Sequence, residues 1–364
     1  MADVRTVGVE EELLLVEPVT GQPRAVSDVI LRDAGPDDRD HLHNELQMEQ
    51  LEIDTQPTST LDELAEEVRR RRLAAAYAAR AVGAEIAAVG TSPLPVKPSL
   101  APVSRYEWMA SEYGLTAADN LTCGCHVHVA VSSDEEGVGV IDRIRPWLPT
   151  LLAMSANSPF WQGRESGYAS YRGQVWPRWP SAGPTGAFGS AEAYHDLVKT
   201  MVSSGVLLDN GMIYFDARLS RHYPTVEIRI GDVCLEADDA VMLAALVRAL
   251  VETSAREWQA GEPAPQVPTE MLRLANWRAS KSGLNDDLVH PTTFRPAPAA
   301  VVLDALLDHV TPALTDTGDL ATVKEMMDAL VARGTGADQQ RRVFRQYNRL
   351  SDVVAHAVAR TTKF

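Results

Sequence analysis

The run Val7-Gly-Val-Glu10-Glu-Glu12-Leu-Leu-Leu-Val16 constrains the fold more than any other segment. Aliphatic and β-branched residues flank three acids, and a run of this kind reads as a β-strand. Side chains alternate faces along a strand, so Glu10 and Glu12 share one face while Glu11 takes the other. Strand residues two apart lie roughly 6.5–7 Å from each other. Two carboxylates that close repel unless something cationic sits between them. A hard divalent ion such as Mg²⁺ takes oxygen ligands and suits that position. A solvated edge strand explains the same residues, and the run alone does not separate the two.

The chain of 364 residues is long enough for one large domain or two ordinary ones. With 45% hydrophobic and 23% charged residues it has the composition of a soluble globular protein. A net charge of −16 argues against a nucleic-acid surface, which needs a basic stripe. A local basic pocket for phosphates stays open. Arg69-Arg-Arg-Arg72 is the one dense basic run, and its Glu/Ala-rich surroundings predict a solvated helix face.

Cys123, Cys125 and Cys234 are too few for a disulfide framework and point to a reducing compartment. Cys123-Gly-Cys125 lacks the second pair that a structural zinc site needs. No apolar run approaches the ~18 residues of a membrane span. The opening Met-Ala-Asp-Val-Arg carries no signal-peptide pattern, so a cytoplasmic location is expected.

Thr60-Leu-Asp-Glu63 has the form of a capping box and opens a helix that runs to about Gly83. Residues 84–91 read as a strand, and residues 92–104, with four prolines, as a loop. Residues 121–131 read as a strand with His126 and His128 on one face. Residues 140–156 look helical, with a break at Pro146 and Pro149. Residues 157–189 are rich in Gly, Pro, Ser, Arg and aromatics, which predicts an ordered loop over a pocket. Residues 212–219 and 225–233 read as paired strands. From about residue 238 the chain is mostly helical, broken near 261–268 and 284–298. Strands interleaved with helices, without strict alternation, predict an α+β protein with a largely antiparallel sheet.

Several segments could carry chemistry. Glu45, Glu49 and Glu52 would share a helix face, yet Leu51-Glu-Ile-Asp-Thr-Gln-Pro57 reads as a strand. In a regular strand Glu45 and Glu52 point opposite ways, so one site takes both only across a bend or bulge. His126 and His128 could contact one metal or phosphate cluster, and no His-Glu-x-x-His motif points to a zinc protease. Asp216/Arg218 and Glu227/Arg229 each place an acid and an arginine on one strand face. The second strand carries Glu227, Arg229 and Gly231 on that face, opposite Val226, Ile228 and Ile230. A carboxylate for a metal beside an arginine for phosphate oxygens suits a mixed site. Phosphate-loop, Rossmann and nucleophile-elbow motifs are absent.

In combination, Gly8-Val-Glu10-Glu-Glu12, Glu45 and Glu52, Cys-Gly-Cys-His126-Val-His128 and Val-Glu227-Ile-Arg229 resemble the carboxylate–amine ligases of the glutamate–cysteine ligase type 2 family. Asn157-Ser-Pro-Phe-Trp-Gln-Gly163, Tyr168-Ala-Ser-Tyr-Arg172 and Asn276-Trp-Arg278 look like further family segments. The resemblance covers nearly the whole chain. It implies a glutamine synthetase-like fold, in which a curved antiparallel sheet forms a half-open funnel with helices on its outer face. It also implies one catalytic domain over residues 1–364. By resemblance, Glu10, Glu12, Glu45, Glu52, His126 and Glu227 become the metal-ligand candidates. Two or three Mg²⁺ ions are implied, with Mn²⁺ as the alternative ion. Arg229 would contact ATP phosphates. His128 would line the phosphate or substrate region. Arg172 and Arg178 would bind the substrate carboxylate or the phosphate in transfer. Glu11 points away and is not a ligand.

The implied reaction explains these residue types. ATP phosphorylates a carboxylate, an amine attacks the acyl phosphate, and an amide forms. The protein then supplies positioning and charge neutralisation more than covalent chemistry. The expected substrates are glutamate and cysteine, or another small amine, with homodimerisation left open and neither nucleic acid nor membrane as partner. Two rivals use the same residues: a metal-dependent hydrolase or phosphatase, and a catalytically silent binding homologue.

Overall fold

The computed structural model describes residues 4–33, 35 and 40–364. Residues 1–3, part of the stretch read for a signal peptide, lie outside the described residues.

Eleven strands are present among the described residues: β1 (Val7–Val16), β2 (Leu42–Asn44), β3 (Gln50–Asp54), β4 (Glu85–Ala87), β5 (Gly124–Ala130), β6 (Phe160–Trp161), β7 (Arg164–Glu165), β8 (Ala217–Leu219), β9 (Thr225–Asp232), β10 (Asp287–Val289) and β11 (Pro296–Pro298). Seven of them form one sheet in the order β2-β3-β1-β5-β9-β8, with β4 paired to the far end of β1. Every pairing in that sheet is antiparallel. The α+β class and the antiparallel sheet agree with the sequence.

Alternation sorts the sheet into an apolar and a charged face. Val7, Val9, Val127, Val129, Val226 and Ile228 are buried in one cluster with the helices Leu61–Ala81, Asp134–Ile144 and Ala237–Gln259. Burying each such side chain contributes about 1.5–3 kcal/mol. The opposite face carries Glu10, Glu12, Glu52, His126, His128 and Glu227. Beyond Glu12 the strand is buried on both faces, and Leu13 through Val16 join a second cluster with Ile53, Ala79 and Ile86.

The helix Leu61–Ala81 starts as expected, with the Thr60 hydroxyl oxygen accepting from Glu63 N–H at 3.3 Å. Its basic run is a solvated face only in part: Arg70 is exposed and Arg69 half-buried. Arg71 and Arg72 are buried, and Arg72 is fully so. Four consecutive helical residues sweep roughly 300° around the axis, so some of them must meet the sheet. Arg72 meets Glu11, donating from Nη2 to Oε1 at 2.6 Å and from Nε to Oε2 at 2.8 Å. Three backbone carbonyls, of Cys234, Leu235 and Thr361, accept its remaining donors.

Two expected strands are shorter than predicted. The strand over 84–91 contracts to β4, because the following backbone bonds elsewhere. Gly90 N–H donates to Asn157 O at 3.0 Å, and Cys123 N–H donates to Gly90 O at 2.9 Å. The strand over 212–219 contracts to β8, because Asp209 caps a 3₁₀ turn at Asn210–Met212. The helix break at Pro146 and Pro149 is present, between Asp134–Ile144 and Leu148–Ser155. The C-terminal helices are Ala237–Gln259, Thr269–Ser282, Ala299–Thr317, Leu320–Arg333, Gly336–Tyr347 and Leu350–Thr361. The break near 284–298 holds the β10–β11 ribbon.

A bulge in β9 corrects one face assignment. Cys125 pairs with Gly231 and Val127 with Ile228, so His126 alone faces both Arg229 and Ile230. The extra residue ends the alternation. Gly231 therefore leaves the charged face: a Cβ there would lie 3.1 Å from Ser155 Oγ and 3.5 Å from Leu243 Cδ2, on the helical side. Asp232 comes opposite Gly124 instead. It is fully buried and accepts from Ser158 Oγ at 2.7 Å, Ser170 Oγ at 2.8 Å and Asn157 N–H at 2.8 Å. That carboxylate anchors the start of the long aromatic loop.

Candidate active site

The charged face of β1, β3, β5 and β9 lines a cavity of about 230 Å³. Its acids fall into two groups. Ligand atoms of Glu12, Glu45 and Glu52 lie within 4.8 Å of one another, and so do those of Glu10, His128 and Glu227. The strand register explains both groups. Glu12 pairs directly with Glu52, and His128 directly with Glu227. Glu45 reaches the first group because it lies outside regular strand, in the β2–β3 connection. The bend required to bring Glu45 and Glu52 together is therefore a hairpin.

The expected ligand set is redistributed in one respect. His128, not His126, completes a group of three, because Glu227 sits opposite His128 in the ladder. His128 Nε2 is 3.1 Å from Glu10 Oε1. His126 lies between the groups, with Nδ1 at 3.3 Å from Glu10 Oε2 and Nε2 at 3.8 Å from Glu12 Oε1. Glu11, paired with Arg72 on the other face, touches neither group.

The electrostatics are those of a crowded anionic pocket. Burial, then repulsion from Glu12, pushes the Glu45 carboxyl up to about 8, against the pull of Arg229. Burial and the charges of Glu10, Glu45 and Glu12 push Glu52 well above the usual range. Glu10 moves the other way. Burial opposes its ionisation, but the charge of His128 and hydrogen bonds to His126 and His128 hold it well below the usual range. Glu227 is likewise held low against burial by Arg229 and Arg218. Burial and the neighbouring Arg229 lower His126, whereas Glu10 raises His128 against burial.

These residues fit hard divalent cations. Four carboxylates, Glu10, Glu12, Glu45 and Glu52, line one small cavity, and Glu227 lies beside Glu10 and His128. His126 Nε2 is buried and has no hydrogen-bond partner among the described residues. Oxygen-rich groups with an occasional imidazole suit Mg²⁺ or Mn²⁺.

Arginines and aromatics complete the cavity lining. Arg229 contacts Glu227 through Nη1, and the same Nη1 is 3.5 Å from His126 Nδ1. Arg218 holds Glu227 with both arms of its guanidinium, at 2.7 and 3.1 Å. Arg218 and Arg105 both line the cavity. Neither was a sequence-level candidate for the site. Arg218 had a signal, its place in the Asp216-Ala-Arg218 segment, but Asp216 does not pair with it. Arg105 had none, since it opens an ordinary helix, Ser104–Tyr113. Trp176, Trp179 and Tyr214 pack together beside them, with ring centroids 5.1 and 5.8 Å from Tyr214. Part of the long loop thus lies over the cavity, in ordered form.

The two loop arginines lie elsewhere. Arg178 is exposed and does not line this cavity. Arg172 is buried and donates from Nη1 to Ile230 O and from Nη2 to Arg229 O, both at 3.2 Å. It lines a neighbouring cavity instead.

Sequence comparison matches residues 6–357 to the model of glutamate–cysteine ligase family 2. The chain belongs to that family. A Streptomyces coelicolor protein provisionally named glutamate–cysteine ligase 2 is 54% identical over 360 residues, covering 98% of this chain and 99% of that protein. A Streptomyces avermitilis protein with the provisional name glutamate–cysteine ligase 2-1 is 53% identical over the same length and shares. Among solved structures, a Francisella tularensis glutamate–cysteine ligase in complex with AMP superimposes with a TM-score of 0.68 at 12% identity, covering 99% of this chain and 89% of that one. A bifunctional glutathione synthetase from Pasteurella multocida gives 0.71 at 16% identity and covers 98% of this chain. This chain spans 52% of that longer one. The fold is glutamine synthetase-like, as the resemblance implied. The family makes the protein an ATP-dependent carboxylate–amine ligase of the glutamate–cysteine ligase type. Among the described residues no helix is long and apolar enough to cross a membrane.

Proposed function

We propose that the chain acts as one catalytic unit that joins the γ-carboxylate of glutamate to the amine of cysteine or another small amino acid or amine. The observation that carries this reading is the pair of ligand groups on one sheet face, with Arg229 and Arg218 held against Glu227 and lining the same cavity as Glu10, Glu12, Glu45 and Glu52. The groups Glu12/Glu45/Glu52 and Glu10/His128/Glu227 would each hold a Mg²⁺ ion, with His126 between them. When bound, such ions neutralise triphosphate charge and polarise the phosphoryl group.

Arg229 and Arg218 then face the side where phosphate oxygens carry charge. Fixed guanidiniums in a dry cavity stabilise charge that develops during phosphoryl transfer. The donor oxygen takes the γ-phosphoryl and ADP leaves. The amine attacks the acyl carbon and expels phosphate, and an amide forms. Trp176, Trp179 and Tyr214 exclude water, which protects the acyl phosphate from hydrolysis. Three buried, unbridged cysteines suit a reducing cytoplasm.

The test is direct. The protein is incubated with ATP, Mg²⁺, glutamate and a panel of amines, and ADP, phosphate and amide mass are followed. ADP and amide formed only when glutamate and an amine are both present support the ligase. Phosphate release from esters without ATP would replace it with a hydrolase, and no turnover across the panel would leave a binding protein.

A further inference from the structure

Asp232 ends the strand that carries Glu227 and Arg229, and it lies opposite Gly124, two residues before His126. Its carboxylate is fully buried. Among the described residues, every hydrogen bond that the carboxylate accepts comes from the long aromatic loop. Oδ2 accepts from Asn157 N–H at 2.8 Å and from Ser158 Oγ at 2.7 Å, and Oδ1 accepts from Ser170 Oγ at 2.8 Å. One carboxylate thus gathers both ends of the stretch from Asn157 to Ser170.

The two hydroxyls pass the contact on. Ser158 Oγ accepts from Arg172 N–H at 3.0 Å, and Ser170 Oγ accepts from Gly173 N–H at 3.2 Å. Those amides open the short turn Arg172–Val175, which runs directly into Trp176. Backbone bonds close the same corner, with Tyr171 N–H donating to Ser158 O at 2.9 Å and Ser158 N–H donating to Ala169 O at 3.1 Å. Trp176, at the end of the turn, lines the acid-lined cavity and its neighbour. From strand to indole the connection is one carboxylate, two hydroxyls, two amides and one turn. Hydrogen bonds to an ionised acceptor are the strong ones, and linked bonds polarise one another. The packing leaves no slack: a Cβ on Gly90 would lie 2.9 Å from the Asp232 carboxylate, and a Cβ on Gly173 would collide with Ser280 Oγ. Burying a carboxylate against neutral donors costs more free energy than burying a neutral side chain of the same shape. A charge kept there answers a demand for stiffness beyond that for stability.

We propose that Asp232 is a positioning residue for the ligase reaction, a latch that holds the Trp176 end of the loop over the acid-lined cavity and keeps water from the activated intermediate. It touches neither substrate nor cation. The assignment rests on the ligase reading above and deepens it by naming what holds the water barrier shut. With the latch loosened, water takes the place of the amine at the acyl carbon. The bond from acyl carbon to the phosphate oxygen breaks, the carboxylate and phosphate are released, and ATP is consumed without an amide.

The experiment compares ADP with amide product for wild type, Asp232→Asn, Ser170→Ala and the double variant, with ATP, Mg²⁺, L-glutamate and a panel of amines. Wild type should form ADP and amide in step. Losing one hydrogen bond to a charged group shifts an opening equilibrium about tenfold. Asp232→Asn should then release about twice as much ADP per amide or more. Ser170→Ala should move the ratio the same way, and the double variant should be little worse than Asp232→Asn, because both changes break one chain. A pin that served stability alone would lower the folded fraction and leave the ratio untouched. Should Asp232→Asn fail to fold, Ser170→Ala decides the matter, since it keeps the carboxylate and removes one link. Variants that fold and lose ADP and amide in equal proportion overturn the latch and leave the ligase reading standing. Failure of wild type to form ADP with any amine overturns both.

Discussion

Glu11 and Arg72 form a fully buried, two-pronged ion pair beneath the acid-bearing face of the sheet, with N–O separations of 2.6 and 2.8 Å. Its neighbour Glu12 faces the cavity one residue later. The two acids should therefore fail differently. Glu11→Gln leaves a buried guanidinium without its counter-charge and should cost about 3–5 kcal/mol of stability in urea titrations. The folded fraction should keep its turnover. Glu12→Gln should lower turnover at least about tenfold with a smaller effect on stability. The reverse order would refute the assignment of faces in β1.

Glu45 predicts how the metal-free protein responds to pH. Its carboxyl ordinarily titrates near 4.5 and stands at about 8 in the fold. Between those values the native state holds a proton that the unfolded state has released. Stability should then fall as pH rises from about 5 to 8 in EDTA. Mg²⁺ at pH 8 should restore it, by about 2.7 kcal/mol at a hundred times its dissociation constant. Glu45→Gln should flatten the profile. A rising profile in EDTA would contradict the burial assigned to Glu45.

Glu227 is contacted by Arg218 and Arg229 and also belongs to a proposed cation group. Glu227→Gln should fold, with a lowered melting temperature because two guanidiniums lose a charged partner. Its Mg²⁺-dependent turnover should drop about a hundredfold or more. Full activity would remove Glu227 from the site.

Gly124 leaves room for Arg172. A Cβ there would collide with Arg172 Nη2 and lie 3.1 Å from His126 Nε2. Gly124→Ala should cost about 1–3 kcal/mol through overpacking. The loss should appear as a lowered midpoint in urea titrations, and an unchanged midpoint would mean that the Arg172 guanidinium shifts aside.

Local periodicity carried much of this architecture. The acids of β1 and the histidines of β5 lie where a period of two puts them. The helix break falls at Pro146 and Pro149 because proline acts locally. Other features needed partners distant in sequence. Whether Arg72 was solvated depended on Glu11, sixty-one residues earlier. The convergence of Glu45 with Glu52 depended on a hairpin, and the grouping of His128, rather than His126, with Glu10 and Glu227 depended on its register against β9. The bulge at Arg229–Ile230 leaves no mark in composition, yet it decides where Gly231, Asp232 and Arg172 go. Arg105 enters the site on a helix whose own sequence says nothing of it.

Trp176 lines both cavities, so its indole is a partition shared by two spaces. A smaller residue at 176 would join those spaces into one, so a change of size there should be felt on both sides at once.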